Sequence, residues 1–221
     1  MKVCTDSCLF GAWVANKIEQ KMISPKTILD IGTGTGLLSI MLAQKSVAQI
    51  HAIDIDKKSF AQASENFISS PWSQCLQAFH SDITEWKAPA KYDLIICNPP
   101  FYENHLLAKD EGRNISKHNM AMRLDDLLFK VKSLLVDDGS LAVLLPWART
   151  KWFENAASAN SLFVKEKMEV RQTLQHNYFR TMLLLQNQKV GIRKTELSIK
   201  NNTNEYTHEF IGLLKDYYLY L

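Results

Sequence analysis

Long apolar runs are absent from this sequence, and so is a basic segment leading into a leucine-rich stretch at its start. A membrane-spanning helix needs about 20 predominantly apolar residues in succession. A secretory signal peptide needs a basic segment followed by an apolar one. We therefore expect a cytoplasmic protein with no membrane partner.

Cysteine is scarce, with four residues at Cys4, Cys8, Cys75 and Cys97. These positions do not give the paired CxxC spacing of a zinc site, and Cys97 lies in an apolar run typical of a buried strand. The spacing of Cys4 and Cys8 leaves a metal or redox pair open, but two ligands without a nearby histidine make a poor site. We predict ordinary thiols and no metal.

Internal repeats, low-complexity stretches and a Gly/Ser/Pro linker are also lacking. The 221 residues, 46% of them hydrophobic and 22% charged, suffice for one sizeable core. We predict a single domain over residues 1–221. The net charge of +3 weakly favours an anionic partner, because basic groups attract phosphates without specificity.

Short β-branched apolar runs alternate with longer amphipathic segments, which is typical of a parallel sheet with helices on both faces. The predicted strands are 27–31, 49–53, 92–97, 140–145, 162–170 and 180–186, with one more before residue 80. The predicted helices are 37–44, 57–69, 123–135 and 150–159, with a terminal helix or extension at 205–221. This pattern predicts an α/β, Rossmann-like fold whose seven-stranded, mostly parallel sheet ends in an antiparallel hairpin.

A glycine-rich turn with Gly32, Gly34 and Gly36 follows the first predicted strand and opens a helix. Glycines allow positive φ and close backbone approach, and the helix start presents unpaired amides. A dinucleotide loop uses the same physics, so the glycines alone are weak evidence. Asp30 favours a cationic cofactor over a dinucleotide, because its carboxylate would repel a pyrophosphate but can receive the ammonium group of S-adenosylmethionine. The alternative is that Asp30 only orders the turn.

Acidic residues also follow the next two predicted strands. Asp54 can accept both ribose hydroxyls of the cofactor, with Ile55 beside it, whereas Asp56 is better placed to cap a helix. Asp82 can accept from the adenine amino group, and Ile83 can pack on the adenine ring. A plain turn at Asp82 explains that segment nearly as well.

The strand predicted at 92–97 leads into Asn98, Pro99, Pro100 and Phe101. This tetrapeptide lies at the carboxyl edge of the sheet, where ligands bind in open α/β folds. The prolines restrict their own φ and the residues before them, so the Asn98 side-chain oxygen and the Pro99 carbonyl can both accept from one NH2 group. Phe101 can stack on the planar group that carries this amine. The two acceptors stabilise the charge that grows on nitrogen during attack on a sulfonium methyl; in isolation, the segment would be only a proline-rich turn.

With these motifs, the sequence resembles the class I amino methyltransferases that carry an NPP(F/Y/W) motif. More narrowly, it resembles the bacterial tRNA1(Val) adenine-37 N6-methyltransferase family over nearly the whole chain. Beyond the two motifs, the resemblance rests on MKVCTD and LFGAW within 1–13, KH and LDDLL within 117–128, and YT and KDYYL within 206–219. It implies a class I methyltransferase fold, S-adenosylmethionine as cofactor and adenine-37 N6 of tRNA1(Val) as the acceptor.

The same resemblance implies that Thr5 and Asp6 line the methionine end of the cofactor pocket, while Asn98 and Pro99 hold the adenine N6. It also implies an RNA substrate as the partner; the oligomeric state stays open, with a monomer favoured. Residues 103–122 form a polar, basic stretch that either covers the RNA acceptor or is a solvated loop. A second basic cluster at Lys189, Arg193, Lys194 and Lys200 is equally consistent with RNA contact and with ordinary surface.

Other acceptors fit the tetrapeptide. A glutamine side chain in a protein offers the same NH2 donors, and so do a base in ribosomal RNA and adenine in DNA. A nicotinamide-dependent oxidoreductase shares the glycine turn but leaves Asn98 to Phe101 unexplained. A binding module without catalysis has no need for Asp30, Asp54 and Asn98 together.

Overall fold

The computed structural model describes residues 4–99 and 124–220. Its first part contains α1 (Thr5–Glu19), β1 (Thr27–Ile31), α2 (Leu37–Ala43), β2 (Gln49–Asp54), α3 (Lys57–Ile68), β3 (Leu76–His80) and β4 (Tyr92–Cys97). Its second part contains α4 (residues 124–134), β5 (Leu135–Pro146), α5 (Thr150–Ala159), β6 (Phe163–Arg171), β7 (Tyr178–Gln186), β8 (Arg193–Ser198) and α6 (His208–Leu214).

The eight strands form one sheet in the order β3-β2-β1-β4-β5-β7-β6-β8. The five strands from β3 to β5 are parallel, and β7 pairs antiparallel with both β5 and β6. The predicted α/β fold and its hairpin are therefore confirmed. The predicted number of strands is wrong, because β8 adds an edge strand parallel to β6. In β8 only Leu197 is buried, so the strand lacks the apolar alternation from which strands are predicted.

Helix α1 was not predicted from the sequence. The bounds of most predicted elements agree with the structure. The main exception is β5, which begins at Leu135, whereas a strand was expected only from residue 140. Its pairing with β4 shifts register, passing from Leu135 opposite Tyr92 to Ser140 opposite Leu94. The polar residues between these pairs interrupt the apolar run, which is why the sequence indicates a later start.

Both faces of the sheet are covered, because residues alternate between two apolar cores along each central strand. In β4, Leu94 and Ile96 pack with α1, α2 and α6, whereas Ile95 and Cys97 pack with α4 and α5. Such strands have apolar residues on both faces, which explains the continuous apolar run that predicted this strand. The helices then leave the carboxyl ends of β1 to β4 as the open edge.

The C-terminal segment packs as a helix with an aromatic face. In α6, Phe210 is fully buried and its ring stacks on Tyr206, with 4.8 Å between ring centroids. Tyr217 and Tyr218 pack against the core beyond the helix, while Tyr220 is exposed. Within residues 4–99 and 124–220, no helix has the length and apolar character needed to cross a bilayer.

A buried ion pair joins α1 to the sheet. Lys17 Nζ donates to Glu166 of β6, and both residues are buried. The Lys17 ammonium also lies over the Trp13 ring, 4.3 Å from its centroid. Burial lowers the pKa of Lys17, and the hydrogen bond to Glu166 opposes that shift.

Candidate active site

A cavity of about 550 Å³ opens at the carboxyl edge of the sheet, within the size range of small-molecule sites. Its walls are the glycine turn after β1, the end of β2, the turn after β3, and Asn98 and Pro99 after β4. Cys4 and Ser7, at the start of α1, close one side. Four of these five chain segments meet here because parallel strands end at the same edge of the sheet.

The glycine turn is shaped by its backbone. Gly32, Gly34 and Gly36 have φ of 69°, 60° and 81°, a region that other L residues rarely adopt. Gly36 does not line the cavity but packs at the start of α2, where a Cβ would lie 2.4 Å from Cε1 of Phe67. Gly32 and Gly34 line the cavity, so the turn presents its backbone to a ligand.

Asp30 is fully buried beneath this turn rather than on the cavity wall. Its Oδ2 accepts from Thr33 Oγ1 at 2.6 Å and from Ser39 Oγ at 2.7 Å. Its Oδ1 is buried and has no hydrogen-bond partner among the described residues. Burial raises the pKa of Asp30 to about 6, against the lowering effect of the two hydroxyls. An unpartnered buried carboxylate oxygen fits a cationic ligand, reached directly or through water.

Asp54 lines the cavity at the end of β2. Its Oδ2 accepts from the Gly34 N–H and its Oδ1 from the Asp56 N–H, both at 2.9 Å. These bonds hold the carboxylate while each oxygen keeps a lone pair for a hydroxyl. The predicted helix cap is confirmed, since the Asp56 side chain accepts from Ser59 N at the start of α3.

The far end of the cavity is apolar with one acid. Ile55 and Ile83 both line it, and Ile55 is 67% exposed, which is a large apolar surface for a planar ring to cover. Asp82 also lines it, and its Oδ1 accepts from the backbone and hydroxyl of Thr84 at 2.8 Å. The turn that served as the alternative for Asp82 is thus present, and the residue still faces the cavity.

Asn98 is held by a contact that the sequence did not indicate. Its Nδ2 donates to Ser7 Oγ at 3.0 Å. The Oδ1 atom takes no hydrogen bond from the described residues and remains an acceptor beside the cavity. Ser7 was missed because no helix was predicted at α1, and a single serine gives no local signal of a contact with a residue 91 positions away. Pro100 and Phe101 lie outside the described residues.

Thr5 and Asp6 occupy neighbouring positions but do not line the main cavity. Asp6 Oδ2 pairs with Arg180 Nε of β7 at 2.8 Å. Asp6 and Arg180 line a smaller cavity of about 170 Å³, which Asn98 and Pro99 share. Asn98 and Pro99 therefore separate two spaces, one with Asp54 and one with Arg180.

Within residues 4–99 and 124–220, no three His, Cys, Asp or Glu side chains cluster in a way that could hold a metal ion. Burial raises the pKa of the Cys97 thiol well above its usual range. The predicted basic stretch at 103–122 lies outside the described residues. In the second basic cluster, Lys200 Nζ donates to Asn204 Oδ1 at 3.0 Å, and Arg193 and Lys194 are exposed on β8.

The fold and this site define a methyltransferase. Residues 12–144 match the family model described as Methyltransferase small domain. The fold resembles that of a predicted O-methyltransferase from Agrobacterium tumefaciens, with a TM-score of 0.71, 14% identity and 95% of each chain covered. S-adenosylmethionine is the cofactor of this class, and the orphaned Asp30 oxygen and the Asp54 carboxylate fit it.

Relatives narrow the assignment. The chain is 38% identical to the tRNA1(Val) (adenine(37)-N6)-methyltransferase of Trichodesmium erythraeum, over 99% of this chain and 91% of that protein. It is 36% identical to the protein of the same name in Flavobacterium psychrophilum, over 99% of this chain and 93% of that one. The chain belongs to this tRNA1(Val) (adenine(37)-N6)-methyltransferase family.

Proposed function

We propose that the chain methylates the N6 amino group of adenine-37 in tRNA1(Val), with S-adenosylmethionine as methyl donor. We further propose that residues 1–221 act as one methyltransferase domain on tRNA in the cytoplasm. The names and coverage of the relatives support this substrate. The cofactor supplies an electrophilic methyl group, and the chain's own residues bind, orient and stabilise the groups around it.

The position of Asn98 carries the proposal. Its Oδ1 is an acceptor at the cavity, and its Nδ2 is engaged by Ser7. An exocyclic amine needs acceptors because its lone pair is delocalised into the ring. Hydrogen bonds from the amine to Asn98 Oδ1 and the Pro99 carbonyl draw the nitrogen toward tetrahedral geometry and stabilise its growing positive charge.

The remaining lining residues serve the donor in this proposal. Asp54 accepts the ribose hydroxyls, Ile55 and Ile83 cover the adenine ring, and Asp82 accepts from its amino group. Asp30 compensates the positive charge at the methionine end from beneath the turn. Alignment of donor and acceptor on opposite sides of Asn98 supplies much of the acceleration, since well-oriented groups gain up to about 7 to 11 kcal/mol. A strong general base is not required.

The test is transfer of labelled methyl from S-adenosylmethionine to a tRNA1(Val) transcript, followed by nucleoside analysis. We expect label in N6-methyladenosine, and none in a matched transcript with guanine at position 37. Asn98→Ala should bind S-adenosylmethionine as the wild type does while turnover falls by at least about a hundredfold, in the range for loss of one transition-state hydrogen-bonding group.

Other results would contradict specific parts of the proposal. Equal loss of cofactor affinity and turnover in Asn98→Ala would make Asn98 structural. Label in the guanine-37 transcript would move the acceptor to another nucleotide. A cell protein extract, tested in parallel, identifies a glutamine acceptor if it alone becomes labelled.

A further inference from the structure

Two neighbouring aromatic side chains, Trp147 exposed and Tyr178 half-buried, lie beside the acceptor side of the site. Trp147 follows directly after β5 and is 43% exposed. Its ring centroid lies 6.2 Å from that of Tyr178, with 33° between the ring planes. We call Trp147 and Tyr178 the aromatic platform. A partly exposed tryptophan offers a large flat apolar face, and its burial by a ligand is favourable.

The platform is held in place by polar contacts. Trp147 Nε1 donates to Glu169 of β6 at 2.9 Å. The Arg171 guanidinium lies over the Tyr178 ring, 5.1 Å from its centroid, and donates to Glu196 at 3.0 Å. Both rings are thus oriented before any ligand arrives, which lowers the entropy cost of stacking on them.

Sheet register places the platform next to Asn98. Cys97 pairs with Val143, and Pro146 pairs with Arg180, so β5 continues past the end of β4 toward the platform. Pro146 also lines the small cavity that Asn98 and Arg180 share. Trp147 therefore begins one residue beyond the wall of this cavity, on the side away from the cofactor residues.

Charge around the platform is balanced rather than strongly positive. Arg171 pairs with Glu196, and Arg180 pairs with Asp6. Arg149, two residues after Trp147, lies over the Trp152 ring, 5.8 Å from its centroid. A ligand at the platform therefore gains mainly from the aromatic ring faces, and ring faces suit a nucleobase.

We propose that the aromatic platform stacks an unpaired RNA base that neighbours the acceptor adenosine along the strand. The inference rests on the proposed function and adds a substrate contact to it. An adenine whose N6 reaches Asn98 has left its stack, so its covalently linked neighbour also loses a stacking partner. Trp147 replaces that partner, which holds the strand while the acceptor base enters the small cavity.

The first test compares the wild type with Trp147→Ala and Trp147→Phe in methylation of the tRNA1(Val) transcript. We expect KM for RNA to rise at least about fivefold in Trp147→Ala, the equivalent of one lost stacking contact. Affinity for S-adenosylmethionine should not change, and Trp147→Phe should recover most of the loss. Phe129→Ala is the matched control, because Phe129 is an aromatic residue of α4 that is 71% exposed.

The second test removes the base from the RNA instead. Short RNAs carry an abasic residue on either side of the acceptor adenosine. When the missing base is the one that stacks, KM for RNA of the wild type should rise as much as the Trp147→Ala substitution raises it on intact RNA. The KM of Trp147→Ala should not rise further on the abasic RNA. If the substitution and the abasic residue each raise KM for RNA and their effects multiply when combined, the Trp147 ring and the base do not contact each other.

The outcomes separate the two proposals. An unchanged KM in Trp147→Ala, with RNA methylated by the wild type, overturns the platform and leaves the proposed function standing. If the wild type methylates no RNA, the proposed function fails first. A raised KM for a glutamine-containing protein substrate, with RNA unmethylated, would assign the platform to a peptide and overturn both.

Discussion

Ser7 and Asn98 meet across the cavity wall, where Asn98 Nδ2 donates to Ser7 Oγ at 3.0 Å. Because Nδ2 donates to Ser7 Oγ, Asn98 Oδ1 is the atom left to accept from an amine. The start of α1 therefore orients the residue proposed to hold the acceptor. Ser7 acts through Asn98 and is a positioning residue in the proposed reaction.

Ser7→Ala removes this partner while leaving the fold of α1 intact. We expect kcat to fall about tenfold, the equivalent of about 1.4 kcal/mol, because the Asn98 amide then rotates away from its productive orientation. Affinity for S-adenosylmethionine should stay near the wild-type value. Steady-state kinetics with cofactor titration measure both.

Ser7→Thr is the matched control, since threonine keeps the hydroxyl. It should recover most of the lost kcat. A fall in melting temperature that parallels the fall in kcat, with no recovery by threonine, would show that Ser7 only stabilises the helix.

The buried carboxyl group of Asp30 should make cofactor binding depend on pH. Its pKa is raised to about 6 by burial, so the carboxyl is neutral below that pH in the free protein. Affinity for the cationic cofactor should therefore fall as the pH drops through about 6. In Asp30→Asn, affinity should be low and nearly independent of pH between 5 and 8. Calorimetric titration measures the affinity of both proteins across this pH range. The same dependence of affinity on pH in both would contradict the role of Asp30.

The raised pKa of Asp30 has the opposite effect on the stability of the fold, which should decrease as the pH rises. The folded protein holds the Asp30 proton more tightly than the unfolded chain does, because burial disfavours the charged form. The contribution of Asp30 to the free energy of unfolding is therefore largest at low pH and is lost as the pH rises toward and through about 6. In the absence of cofactor, Asp30→Asn should be more stable than the wild type at pH 8. Urea unfolding at pH 5 and pH 8 measures this difference.

Asp54 and Asp56 give a matched pair of acids two residues apart. Asp54→Asn should lower affinity for S-adenosylmethionine about tenfold or more, because charge-assisted hydrogen bonds to the ribose are weakened. Asp56→Ala removes the cap of α3, so it should lower the melting temperature and leave affinity unchanged. The assignment of the ribose to Asp54 fails if Asp56→Ala affects affinity equally.

Replacing Glu166 alone should lower the free energy of unfolding far more than replacing Lys17 and Glu166 together. Glu166→Gln leaves the buried Lys17 ammonium without its counter-charge and should lower the free energy of unfolding by about 3 to 5 kcal/mol. The double variant Lys17→Met/Glu166→Leu should regain most of this loss, because it leaves neither charge buried. Urea unfolding of the wild type and the two variants measures this, and a double variant no more stable than Glu166→Gln would contradict the prediction.

Local sequence was sufficient for the elements that are strongly apolar. The runs at β1 and β4 predicted both strands with their observed bounds, because residues buried on both faces leave a continuous signal. Local sequence was insufficient for β8, because only Leu197 is buried there and the other residues are exposed or half-buried. An edge strand depends on its partner, and that partner, β6, is distant in the chain before folding.

The candidate site was likewise only partly predictable from the sequence. Asp30 and Asp54 lie near the carboxyl ends of their strands, and Asp82 and Asn98 follow theirs, so the common edge was predictable from strand order and parallel direction. Their hydrogen bonds were not, because Gly34 and Asp54 lie 20 residues apart and Ser7 and Asn98 lie 91 apart. Contacts of this kind depend on side-chain directions that local patterns do not encode.

The sequence by itself determined the class of fold, the cofactor turn and the tetrapeptide at Asn98, since these depend on short-range apolar pattern and backbone restriction. Only the tertiary structure decided that Asp30 lies beneath the turn with one oxygen unpartnered, that Ser7 orients Asn98, and that Trp147 and Tyr178 lie beside it. The physical reason is that burial and hydrogen bonding are properties of neighbours in space. Folding brings those neighbours together from distant positions in the chain.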